Sequence, residues 1–269
     1  MASEQVVPPQ PRDYGDFNFE GFKTLYLKEI KRFWKVAMQT IAAPVITSLL
    51  YMLIFAVATS GARQPMEGVS FREFIAPGLV MMAILNNAFA NSSSSLLQSK
   101  MMGLTSDFMT PPLSPLEQTA AFVLGAATRG VVVGLTTALA VWPFAHFQLT
   151  HLWAVAFFGV GASLLMSLVG VLGGLWSEKW DHLATVTNFV VMPLTFLSGT
   201  FYLTERLPEP FRSGSHFNPM FYLIDGFRYG FIGHADGSVA VGVALTAVLT
   251  VVLTVWSWRL FKTGYRLKT

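Results

Sequence analysis

Followed for hydrophobic and polar positions, the chain acquires order at about residue 17. Phe22, Leu25, Tyr26, Ile30 and Phe33 recur at helical spacing, with Lys23, Lys28, Glu29, Lys31 and Arg32 between them, the pattern of a basic amphipathic helix. A helix of this kind over 17–35 lies on an anionic inner leaflet, docks a cytoplasmic partner, or does both. Six apolar stretches follow, at 36–58, 74–97, 119–144, 152–176, 183–203 and 239–260. Each supplies the ~20 residues needed to cross a hydrocarbon layer of about 30 Å. Two of them depart from a plain apolar run. Asn86, Asn87, Asn91 and the serines 92–95 make the second polar, and Pro193 interrupts the fifth. Residues 1–16, with three prolines and mixed charges, read as a disordered lead. The expected architecture is an all-α integral membrane protein: the lead (1–16), a cytoplasmic amphipathic helix (17–35) and a six-span domain (36–269).

Composition removes the alternatives to a membrane. Of 269 residues, 53% are hydrophobic and 12% charged, against about a quarter charged in soluble domains. A core of this size cannot bury so much apolar surface, whereas lipid can cover it. The net charge of +3 does not point to nucleic acid, because 18 Lys and Arg are spread over the whole length. Their placement carries the information. With the N-terminus inside, twelve fall on the cytoplasmic side: Arg12, Lys23, Lys28, Lys31, Arg32, Lys35, Lys100, Lys179, Arg259, Lys262, Arg266 and Lys268. Five fall outside (Arg63, Arg72, Arg206, Arg212 and Arg228), and Arg129 lies within the third span. This is a positive-inside bias, and an even number of spans returns the C-terminus to the cytoplasm. No basic start followed by an apolar segment and a small-residue cleavage site is visible, so no cleaved signal peptide is expected.

Little catalytic chemistry is encoded. The absence of cysteine excludes disulfides, thiolate metal sites and thiol catalysis. No HExxH or GxSxG occurs, and His146, His151, His182, His216 and His234 lie in or beside loops without metal-ligand spacing. The serines 92–95 read as helix-packing contacts rather than nucleophiles. No Asp or Glu lies in the central part of a span, where ion-coupled transporters usually carry one. Arg129 is the lone ionisable residue there. It either lines a polar path for an anionic substrate or pairs with a backbone carbonyl or a lipid phosphate. With no GxxxxGK[ST] in the chain, energy for active transport must enter from another polypeptide.

Two long connections remain. In the cytoplasmic one, 98–118 (QSKMMGLTSDFMTPPLSPLEQ), Met101, Met102, Leu104, Phe108 and Met109 need a surface to cover them. A short helix can begin at Thr105, Ser106 or Asp107 and is stopped by Pro111, Pro112 and Pro115. Such an element either contacts another protein or folds back on its own spans. In the external one, 218–233 (NPMFYLIDGFRYGFIG) is too short and too polar for an ordinary span, and reads as a re-entrant or interfacial pair of helices. Asp225 and Arg228, three apart, are placed to pair on one helix face. The aromatic residues Phe189, Phe196, Phe201 and Tyr202 either line a wide channel or anchor the chain at the interface.

Four stretches carry a resemblance to a known family: FIAPGLVMMAILNNAFANSSSSL (74–96), KMMGLTSDFMTPPLSP (100–115), PLTFLSGTFYLTERLP (193–208) and NPMFYLIDGFRYGFIG (218–233). In this order they resemble the permease subunits of type-2 ABC exporters, the group that includes bacterial nodulation-factor, polysaccharide and drug exporters. The resemblance runs over nearly the whole chain from about residue 17. It implies a six-span subunit with both termini inside, in the bacterial inner membrane. A second permease copy, in a homodimer, and two cytoplasmic ATP-binding subunits complete the assembly. ATP and Mg would sit on those subunits, with no cofactor, metal or enzymatic activity on this chain and no nucleic-acid partner. The loop after span two becomes a coupling helix, at Gly103, Leu104, Asp107, Phe108, Met109, Pro111, Leu113 and Pro115. Gly103→Pro or Phe108→Asp is then expected to leave the fold intact and abolish coupled ATP hydrolysis. Short re-entrant helices after span five would close the exit. The gate and exit residues are Pro193, Phe196, Leu197, Ser198, Gly199, Asn218, Pro219, Tyr222, Asp225, Arg228 and Gly233, with the 196–199 segment near the dimer interface. Arg129, Asn86 and Asn87 are candidates for a translocation path. The implied activity is outward transport of a glycan, glycolipid or hydrophobic small molecule. A multidrug-resistance permease, or a channel or scaffold without ATP coupling, are the alternatives.

Overall fold

The computed structural model describes residues 15–58, 68–145, 148–204 and 207–267. Most of the expected disordered lead, together with His146, Arg63 and Arg206, lies outside the described residues. In chain order the elements are α1 (Phe19–Trp34), a π-helical turn (Met38–Ala42) leading into α2 (Ala43–Ala58), α3 (Phe71–Met101), α4 (Ser106–Met109), α5 (Pro115–Ala145) and α6 (Leu152–Trp176). They continue with α7 (Trp180–Val186), a second π-helical turn (Thr187–Val191), α8 (Met192–Phe196), α9 (Phe211–Phe217), α10 (Pro219–Ile232) and α11 (Val239–Thr263). No β-strand element occurs among the described residues.

Five helices are long and apolar enough to cross a membrane: Met38–Ala58, Phe71–Met101, Pro115–Ala145, Leu152–Trp176 and Val239–Thr263. The fifth predicted stretch, 183–203, takes a different form. α7, the π-helical turn and α8 run on as one helical segment over 180–196, about 26 Å long at ~1.5 Å per residue. Pro193, two residues past the end of the π turn, removes a backbone donor. The chain then leaves the helix at Leu197 and turns through Gly199 at φ +74°.

α3 is the centre of the molecule. Its start is fixed by a capping box in which Ser70 Oγ accepts from Glu73 N at 3.3 Å and Glu73 Oε2 accepts from Ser70 N at 3.0 Å. From there its side chains are buried between α5 and α6. The three backbones approach closely because glycines face α3. A Cβ on Gly170 would stand 2.2 Å from Ser92 Oγ and 2.5 Å from the Phe89 carbonyl oxygen. Ser92 Oγ donates to the Ser167 carbonyl at 2.8 Å, and Ser163 Oγ donates to the Ala127 carbonyl at 2.8 Å. The serine run is thus a packing surface that satisfies its own hydroxyls, as small residues between membrane helices do.

α2 and α11 flank this core with most of their side chains uncovered. Ile46, Leu50, Leu53 and Ile54 on α2, and Val248, Val251, Val252 and Val255 on α11, form faces that lipid or another subunit must cover. The helices alternate in direction, so the bundle has two distinct ends. α1, α4 and the C-terminal ends of α3, α6 and α11 share one end; there Lys100 Nζ donates to the Leu175 and Ser177 carbonyls, and Arg266 pairs with Glu178 at 3.2 Å. α9, α10 and the start of α6 share the other. Among the described residues, only Arg72, Arg212 and Arg228 bring cations to that second end.

Candidate functional site

Three groups of sequence-predicted residues occupy separate places. At the first end, the 98–118 connection divides its apolar side chains between two fates. α4 starts at Ser106 and ends at Met109, just ahead of the prolines, as the sequence indicates. Phe108 turns inward and is fully buried, edge-on to Phe122 at 5.2 Å between ring centroids, with Lys28 Nζ 5.9 Å from its ring. Gln118 Nε2 donates to the carbonyls of Phe108 (3.0 Å) and Leu113 (3.3 Å). Asn18, at the start of α1, donates to the Pro112 carbonyl at 3.1 Å. Glu117 accepts from the backbone of both Asn18 and Ser114, and Pro115 opens α5. The loop is therefore clamped against its own bundle. Met101, Met102 and Leu104 are the exception: they stand exposed around Gly103, which has φ +68°, with Asp107 exposed beside them. This corrects the expectation for Phe108. An aspartate there would enter the core formed with Leu25, Phe122 and Phe261, so it would break the fold rather than probe a docking contact.

At the second end, α10 is one helix and not a pair. Asn218 caps its start, accepting from Met220 N at 3.0 Å, and Gly233 ends it at φ +76°. The other short helix, α9, lies upstream of Asn218. Asp225 and Arg228 do not pair with each other, because each is taken by a backbone that crosses the helix. Asp225 accepts from Asp236 N and Gly237 N, both at 2.9 Å. Arg228 Nη2 donates to the Gly199 carbonyl at 2.5 Å, and its guanidinium lies 4.0 Å from the centre of the Phe74 ring. Asn218 Nδ2 donates to the Leu194 carbonyl at 2.6 Å. The 196–199 turn is in this way bound to α10, with Ser198 and Gly199 buried and Pro193, Phe196 and Leu197 exposed beside it. Pro219 and Tyr222 are half-buried on α10. Phe201 stacks on Phe55 at 4.8 Å and Tyr202 Oη donates to the Phe196 carbonyl at 3.1 Å, while Phe189 and Phe196 face outward.

The third group lies between the ends and contains residues the sequence reading passed over. α1 is not confined to a lipid surface, because it packs along α5 with Leu25, Glu29 and Phe33 buried. Tyr26 Oη and Thr128 Oγ1 share a hydrogen bond of 2.9 Å. Glu29, with no exposed surface, accepts from Ser95 Oγ at 2.8 Å and pairs with Arg32 Nε at 3.3 Å. Arg32 Nη2 donates to the Asn91 carbonyl (2.6 Å) and to Asn91 Oδ1 (2.8 Å), and Nη1 to Ser94 Oγ at 3.4 Å. Arg129 reaches the same stripe from α5, donating to Asn87 Oδ1 at 2.9 Å and to Asn91 Oδ1 at 3.5 Å. Its protein partners are side-chain amides rather than a backbone carbonyl, one of the alternatives the sequence offered beside a lipid phosphate and a polar path. Asn87 and Ser94 also line a cavity of about 550 Å³ on an adjoining face of α3, together with Asn86 and residues of α2 and of the 180–196 segment. The signal for Glu29 was present: 25, 29 and 33 fall on one helix face, which places a carboxylate in an apolar row.

A family model described as ABC-2 type transporter matches residues 20–232. The inner membrane transport permease YadH of Escherichia coli K12 is 36% identical over 249 residues, covering 92% of this chain and 96% of that protein. The protein of the same name from Shigella flexneri matches to the same extent.

Proposed function

Because this chain belongs to the ABC-2 type transporter family, we propose that it is the permease subunit of an ATP-driven exporter, working as two copies with two separate ATP-binding subunits. Family membership makes it a membrane transport component, and with its apolar helices a multi-pass inner-membrane protein. In this reading ATP and Mg bind the partner subunits. The 180–196 segment counts as the remaining span, and both termini are cytoplasmic; the crowding of cations at the end that holds α1 and α4 favours this orientation. The cargo is a glycan, glycolipid or hydrophobic small molecule moved outward, with a drug as the variant of the same reading.

The exposed trio Met101, Met102 and Leu104 carries the proposal. An uncovered apolar knob on a loop clamped to its own bundle is suited to receive force from a docked subunit and pass it on without bending. ATP-driven closure of the partners would push on this knob. α1 and α3, tied to each other through Glu29, Arg32 and Asn91, would move as a body and change the cavity that Asn86 and Asn87 line. At the far end, α10 holds the turn after the 180–196 segment through Arg228 and Asn218, and so serves as the exit closure. The test is purification of the tagged chain from its native host. A P-loop ATPase should copurify with the wild type in equal amount and be lost from Met102→Asp, a change at an exposed side chain. A chain that purifies alone as a stable oligomer contradicts ATP coupling and favours a channel or scaffold.

A further inference from the structure

α1, α5 and the end of α3 line an open cavity of about 770 Å³. Its wall carries Lys28, Lys31, Arg32, Lys35 and Arg129, five cations and no carboxylate. Glu29, between Lys28 and Lys31 on α1, is already engaged with Arg32 and Ser95. Among the described residues no carboxylate lies within 4.0 Å of Arg129, and its buried Nε has no hydrogen-bond partner. Asn91 Oδ1 is shared by two guanidinium groups, and Asn91 Nδ2 is buried without a partner. Two arginines on one amide oxygen repel each other. Protein folds accept such an arrangement where an anion completes it, because the forked donors of arginine match the oxygens of a phosphate.

We propose that this cavity is a binding site for a phosphate or pyrophosphate group, held by Arg32 and Arg129 at its inner wall and drawn in by Lys28, Lys31 and Lys35 at its mouth. The inference rests on the transport reading above and narrows the cargo to a molecule with a phosphorylated head, or gives the site to an anionic lipid of the surrounding leaflet. The chemistry is the same for both. An open cavity lined by α1 admits a headgroup from the membrane surface while any acyl chains stay in the bilayer. The polar stripe of α3 joins this site to the 550 Å³ cavity beside it, since Asn87 and Ser94 line that cavity while accepting from Arg129 and Arg32.

The full chain is reconstituted in nanodiscs of phosphatidylcholine, and two probes are compared. The first is inorganic pyrophosphate, read by calorimetric titration. The second is replacement of half the lipid by phosphatidylglycerol, read by native mass spectrometry of lipids retained after stripping. Binding of either probe by the wild type is expected to weaken roughly ten- to a hundredfold in Arg129→Gln, the loss for hydrogen bonds to a charged group. The triple change Lys28→Gln, Lys31→Gln, Lys35→Gln at exposed positions should weaken it too and guards against misfolding of the buried variant. Saturable pyrophosphate binding in neutral discs assigns the site to a soluble or cargo phosphate, and retention of phosphatidylglycerol alone assigns it to the leaflet. Equal binding by wild type and both variants, or no binding of either probe by the wild type, overturns the proposal. A wild type that binds neither probe but still copurifies with its ATPase sinks this site alone, and loss of the ATPase with binding intact sinks only the coupling.

Discussion

Glu29→Ala measures how firmly α1 belongs to the bundle. The carboxylate has no exposed surface and takes two bonds, from Ser95 Oγ at 2.8 Å and Arg32 Nε at 3.3 Å. Removing one partner of a buried pair costs about 3–5 kcal/mol, because the other charge is left unmatched. Arg32 is 26% exposed and keeps its bonds to Asn91 and Ser94, so water recovers part of that loss. A cost of about 2–3 kcal/mol remains, which corresponds to a roughly 30- to 150-fold larger population of detached α1. Hydrogen exchange in detergent micelles reads this directly. The amides of α1 should exchange one to two orders of magnitude faster in the variant, with those of α6 unchanged as an internal reference. Exchange in α1 within threefold of the wild type would refute the reasoning, and would return α1 to the status of a helix resting on lipid.

Two other substitutions test the packing and the far end. Gly170→Val places a side chain against Ser92 Oγ and the Phe89 backbone, an overpacking worth at least about 3 kcal/mol; monodisperse protein on size-exclusion chromatography should be lost, and a normal yield contradicts the close approach of α3 and α6. Arg228→Ala leaves the Gly199 carbonyl unpaired and removes the guanidinium from Phe74, about 3 kcal/mol in all. Its thermal midpoint should fall, with faster proteolysis near residue 199, and an unchanged midpoint speaks against a latch between α10 and the 196–199 turn.

The regular parts of this fold are legible because periodicity and length report directly on burial. The long apolar runs of α2, α3, α5, α6 and α11 need no partner to be recognised as spanning helices. The end of α4 is legible because its prolines act locally, and its start falls at Ser106, the middle of the three positions the capping pattern allows. What sequence could not weigh was competition between partners. Asp225 and Arg228 had the spacing to bind each other, yet backbone groups at 236–237 and 199 claim them, and nothing local to α10 announces those crossings. Phe108 and Leu104 look alike in an apolar loop, and only the position of Phe122 separates a core residue from an exposed one. In the fifth apolar stretch hydropathy is blind to the π turn, the proline and the left-handed glycine that shape it. Arg129 stands out as a lone charge in its span, while Arg32 and Glu29 are two among the many charges of an amphipathic helix.

Coupling to an ATP-binding subunit through the exposed loop is the claim on which the functional account stands. The chain has no cysteine, so Leu104→Cys introduces a single thiol at a side chain that is 43% exposed. Photo-crosslinking from that thiol in the native membrane, followed by mass spectrometry, should capture a P-loop ATPase. Leu139→Cys, exposed toward the other end of α5, should capture none. Capture of the ATPase at 104 and not at 139 is the predicted result. Failure of the 104 thiol to reach any ATPase, in membranes where the transporter is active, would contradict the account.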